Sequence, residues 1–117
     1  MPSYRRSPDE AVVTETTTSA TLNPSGVSLL GTIGSTGGGS ANWVIGVPIA
    51  GKRKTIISTN NTTVANTVLT TTSSITFNGT NNKLSFAAAG NSMIHMVGVS
   101  ATRYFILGST GVTLSST

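Results

Sequence analysis

The sequence predicts an all-β domain, and three observations carry that prediction. Serine and threonine make up about a third of the 117 residues, and threonine fits the pleated, half-buried surface of a strand. Apolar residues come in short β-branched or aromatic runs rather than in long helical stretches. Glycine, asparagine and proline punctuate these runs at spacings near ten residues, which suits a sandwich or barrel of about nine or ten antiparallel strands. One domain over 12–117 is expected, preceded by an extended N-terminal arm over 1–11.

Val12–Leu22 is β-branched and free of glycine and proline, so it reads as one extended strand. Asn23-Pro24-Ser25-Gly26 fits a type I turn position by position. Val27–Ile33 is the next strand, followed by the flexible stretch Ser35–Ser40. That glycine-rich stretch leads to Trp43–Ile49, where Trp43, Ile45, Val47 and Ile49 alternate onto one face as in a strand. No helix with a lysine and serine at the spacing of a phosphate loop follows it. Thr55–Thr59, Val64–Leu69, Ser74–Phe77 and Leu84–Ala87 continue the series. Ile75 and Phe77 share a face, as do Leu84 and Phe86, and directly opposite residues must share a face too, so a hairpin without a bulge should place Phe77 or Ile75 opposite Leu84.

Met93–Leu114 holds the densest apolar content. Ile94 and Met96 point one way and Val97 the other, so the strand is apolar on both faces, and such a strand is covered on both sides. If Met96 opposes Phe105, then Ile94, Met96, Phe105 and Leu107 fill the core. His95, Val97, Tyr104 and Ile106 then face outward as a subunit interface, and Ile106→Asp is expected to break the assembly. Aromatic residues are few, so the core is thin for the chain length, a deficit that oligomerisation can offset.

Charge excludes more than it includes. Asp9, Glu10 and Glu15 are the only acids, and from Thr16 onward the cations are Lys52, Arg53, Lys54, Lys83 and Arg103. His95 is the only histidine and there is no cysteine. A Ser-His-Asp arrangement would have to borrow its acid from the leader. Paired carboxylates for glycoside hydrolysis and clustered oxygen ligands for calcium are missing. The chain reads as no enzyme, with no catalytic, metal or cofactor-binding residues and no cofactor. No run of about twenty apolar residues is present to cross a bilayer as a helix, and no membrane partner is expected. Lys52-Arg53-Lys54 would suit an acidic surface. No aromatic lies within eight residues of it, which argues against nucleic acid as the partner.

From Gly51 onward the chain resembles a family of small bacteriophage virion-surface modules. The stretches that carry the resemblance are Gly51-Lys52-Arg53-Lys54-Thr55-Ile56-Ile57, then Ile75-Thr76-Phe77 with Lys83-Leu84-Ser85-Phe86, and finally Gly98-Val99-Ser100-Ala101-Thr102-Arg103-Tyr104-Phe105-Ile106-Leu107-Gly108. Such modules serve as capsid decoration, or cement, proteins and as parts of head or tail fibres. The resemblance implies a β-sandwich, expected to be jelly-roll-like, that assembles as a homotrimer on the virion surface. It implies the major capsid protein as partner, with Arg5, Arg6, Lys52, Arg53 and Lys54 as the expected capsid contacts. The leader is expected to lie along a neighbouring chain. A receptor- or glycan-binding fibre module is the alternative, and would be expected within a longer chain carrying a shaft.

Overall fold

The computed structural model describes residues 12–15, 21–30, 41–58, 66–87 and 92–116, with ten strands and no helix among them. In chain order they are β1 (Val12–Glu15), β2 (Thr21–Leu22), β3 (Gly26–Leu30), β4 (Ala41–Ile45), β5 (Arg53–Ser58), β6 (Asn66–Thr70), β7 (Lys83–Phe86), β8 (Ser92–Ser100), β9 (Arg103–Thr110) and β10 (Val112–Ser115). They form two five-stranded sheets, β1-β3-β5-β8-β9 and β10-β7-β6-β4-β2.

The first six strands alternate between the sheets, odd ones in the first and even ones in the second. Each therefore pairs with the strand two places away, and all four of those pairings are parallel. A parallel pair needs a crossover, and here each crossover is a strand of the opposite sheet. The last four strands close this winding with antiparallel pairs: β7 on β6, β10 on β7, β8 on β5 and β9 on β8.

The all-β prediction holds, but the uniformly antiparallel, jelly-roll-like arrangement does not. The turns explain why. Asn23 Oδ1 accepts from the Ser25 amide at 3.0 Å, and this tight bend hands the chain to the opposite sheet instead of folding it back on its neighbour. Val12–Leu22 is accordingly not one strand, since β1 and β2 lie in different sheets. The arm expected over 1–11 lies outside the described residues.

Ser74–Phe77 is not a strand either. The chain from Thr71 to Asn82 runs as turns, with one isolated bridge from Thr76 to Arg103. The expected pairing of Phe77 or Ile75 with Leu84 does not form, because Leu84 pairs instead with Val68 and Leu114. Ile75 and Phe77 nevertheless both point into the core. Trp43 and Ile45 do so as expected, whereas Val47 and Ile49 lie outside β4 and are about half exposed. Alternation stops at Gly46, whose amide donates to the Leu22 carbonyl, and Pro48 has no amide with which to extend a ladder.

The two sheets share one core. Leu30, Ile56, Ile94, Met96 and Tyr104 come from the first sheet, and Leu22, Trp43, Ile45, Val68, Leu84 and Phe86 from the second. Tyr104 is fully buried. Its ring stacks on Phe77 with centroids 5.7 Å apart, and its hydroxyl donates to the Gly46 carbonyl at 2.7 Å. Burial raises the phenol above its ordinary value of 10.0, since the charged form would sit in low dielectric. With the folded pKa above the unfolded one, this contribution is intact below pH 10 and is lost as pH climbs from there. The melting temperature should therefore fall in strongly alkaline buffer, and Tyr104→Phe should remove part of that fall, which a thermal scan against pH would read.

Candidate assembly surface

The outer faces of the two sheets differ in chemistry. On the second sheet the register aligns Thr67 with Ser85 and Thr113, and Leu69 with Lys83 and Ser115. Apart from Val44 and Leu69, the described residues of this face are polar. On the first sheet, Leu29, Ile57 and Met93 form one row across β3, β5 and β8. Val27, Thr55 and His95 form a second row, and Arg53, Val97 and Phe105 a third. Most of this outer face is therefore aliphatic or aromatic, although it points away from the core.

His95 is half-buried here, and its Nδ1 lies 2.7 Å from Thr55 Oγ1. That pair satisfies one ring nitrogen in the middle of an apolar surface. No carboxylate side chain occurs in residues 16–117 to orient the other nitrogen. Among the described residues no cluster of three potential metal ligands is present.

The β8–β9 hairpin decides which side chains this face presents. Ser100 opposes Arg103 across the turn, yet Gly98 opposes Tyr104, so Val99 is an extra residue on β8. Such a bulge shifts the pairing by one and exchanges the faces of everything beyond it. Met96 therefore opposes Ile106, not Phe105. Tyr104 points inward and Ile106 packs against the core, while Phe105 and Leu107 are 49% and 51% exposed. Two of the four expected interface residues, Tyr104 and Ile106, are thus corrected by the register. His95 and Val97 remain on the outer face, and Phe105 and Leu107 take the other two places. A second register shift lies between His95 and Met96, where Leu107 is the extra residue on β9. Both extra residues, Val99 and Leu107, are large apolar side chains left about half exposed.

Among the expected capsid contacts, Lys52 and Arg53 are exposed. Lys54 is not. Alternation along β5 turns it inward, where its ammonium donates to the Ser25 carbonyl at 3.2 Å and to Ser28 Oγ at 2.5 Å. Lys52 precedes β5, and alternation along the strand then puts Arg53 on the outer face and Lys54 on the inner one. Arg5 and Arg6 lie outside the described residues. No protein-family model matches this chain, and no curated protein sequence matches it.

Proposed function

We propose that this protein is a structural, non-enzymatic virion component that decorates a phage capsid and stabilises it by bridging capsid subunits, self-associating as a homotrimer through the outer face of the first sheet. The observation that supports this reading most is the apolar outer face of the first sheet. Full burial of a Leu or Phe side chain is worth about 1.5–3 kcal/mol, and Phe105 and Leu107 withhold roughly half of it from the isolated chain. Exposed patches of this kind mark interaction sites. A further copy of the same face, brought around an axis, would cover them.

The test follows from the corrected register. Ile106→Asp would report on folding, because Ile106 packs against the core. Phe105→Asp combined with Leu107→Asp should instead dissociate the assembly while shifting the monomer's unfolding free energy by no more than about 1 kcal/mol. Sedimentation velocity reads the first effect and urea unfolding the second. A wild-type chain that is monomeric throughout, or a double variant that stays trimeric, would overturn the proposal. Particles carrying the double variant should lose the protein and some heat resistance.

A further inference from the structure

The turns and strand ends at one end of the fold collect all the cations of residues 16–117. β5 starts at this end with Lys52 and Arg53. β8 also ends here, because it runs antiparallel to β5 with Val97 opposite Arg53, and the turn that follows leads to Arg103. β4 ends here on its way to β5, and β6 ends beside it with Ile45 opposite Thr70. Lys83 opposes Leu69, the next residue back. Lys54 lies just beneath, its ammonium directed at the Ser25 turn of the same end. Register alone therefore gathers four positive charges, Lys52, Arg53, Lys83 and Arg103, from segments as far apart as residues 52 and 103, while the buried Lys54 is engaged with Ser25 and Ser28.

This end also carries Val47, Ile49 and Val99, three of the five most exposed large apolar side chains among the described residues. They stand where the chain wraps Gly98: the Gly51 amide donates to the Gly98 carbonyl and the Gly98 amide to the Lys52 carbonyl, at 2.8 and 2.9 Å. Exposed aliphatic residues among cations are the composition of a protein-docking surface. A single-stranded nucleic-acid platform would offer several aromatic faces for stacking; among the described residues Trp43, Phe77, Phe86 and Tyr104 are buried in the core, which leaves Phe105, in the row of Arg53 and Val97, as the single exposed aromatic.

We propose that this end docks on an acidic protein surface with apolar side chains among its carboxylates. The inference deepens the functional reading above and rests on it only for the source of that surface, a capsid protein. Charge complementarity commits the partner: Lys52, Arg53, Lys83 and Arg103 stand at this end, and residues 16–117 hold no carboxylate side chain.

The full-length chain is titrated with three probes in roughly 0.15 M salt: polyglutamate, a random glutamate–valine copolymer, and a short DNA duplex. The copolymer should bind about tenfold tighter than polyglutamate, and the duplex more weakly than the copolymer. Lys52→Glu with Lys83→Glu should weaken copolymer binding by about tenfold or more. Val47→Ser with Ile49→Ser, at exposed positions where folding is not at risk, should reduce the copolymer to the polyglutamate level. Duplex binding tighter than the copolymer would overturn the proposal in favour of nucleic acid. Unchanged affinity in the charge-reversed variant would overturn it outright. A gain of about tenfold on Asp9→Asn with Glu10→Gln would overturn it too, by showing that the leader's own acids occupy the surface. Phe105→Asp with Leu107→Asp separates the two readings: copolymer binding that persists in a monomeric chain leaves docking standing whatever becomes of the assembly.

Discussion

Gly98→Ala should destabilise the fold by about 3 kcal/mol or more, enough to lower the urea midpoint sharply. A Cβ at this position would lie 2.3 Å from the Ile49 carbonyl oxygen and 2.8 Å from its carbon. Those are backbone atoms, which cannot rotate aside as a side chain could. The segment from Ile49 to Lys52 is moreover held to Gly98 by two hydrogen bonds, so relieving the overlap breaks them. Gly108→Ala is the control, because nothing lies within 4 Å of its Cβ position. It should stay within about 0.5 kcal/mol of the parent. Equal losses at the two sites would show that the close approach at Gly98 is not what the structure makes it.

Tyr104→Ala should cost about 3–5 kcal/mol. The side chain is wholly buried, so its loss removes transfer free energy and leaves a cavity against Phe77. It also strands the Gly46 carbonyl, which accepts the phenol hydrogen bond. Tyr104→Phe isolates that last contribution and should cost only about 0.5–1.5 kcal/mol. A double-mutant cycle with Phe77→Ala should return a coupling of about 0.5–1.5 kcal/mol for the stacked pair. If Tyr104→Ala unfolds at the parent's denaturant midpoint, the residue faces solvent and the β9 register described above is wrong.

That register shows where sequence reasoning stops. The strand character of Met93–Val97 and Tyr104–Leu107 was legible, because β-branched and aromatic runs between glycines have few other solutions. The presence of an uncovered apolar face was legible too, from Val97 lying out of phase with Ile94 and Met96. Which β9 residues share that face was not. A strand's faces alternate with a period of two, so one bulged residue at Val99 exchanges Tyr104 and Ile106 for Phe105 and Leu107. Gly98 was the one available signal, as glycine inside a strand often marks a bulge or a close backbone approach. Strand direction was illegible for a different reason. Alternation specifies a buried side and says nothing about whether the neighbour runs up or down, so the parallel pairs of β3 with β5 and β4 with β6 left no mark in the pattern. The basic end was half legible: Lys52 and Arg53 adjoin in sequence, whereas Lys83 and Arg103 join them only through pairing.

The alternation of the first six strands between two sheets also governs what an unfinished chain can do. None of the first five pairs with its neighbour in sequence, so each must wait for a strand not yet made, and the entropy of closing the intervening loop is spent before any hydrogen bond returns it. β5 waits longest. Its second neighbour is β8, which begins at Ser92, and until then β5 holds Ile56 on one face, Ile57 on the other, and an open row of backbone donors and acceptors along one edge. An edge of that kind is a template for other chains. Every ribosome making this protein carries it through that adhesive state, with residues 59–91 synthesised between the exposed edge and the strand that seals it.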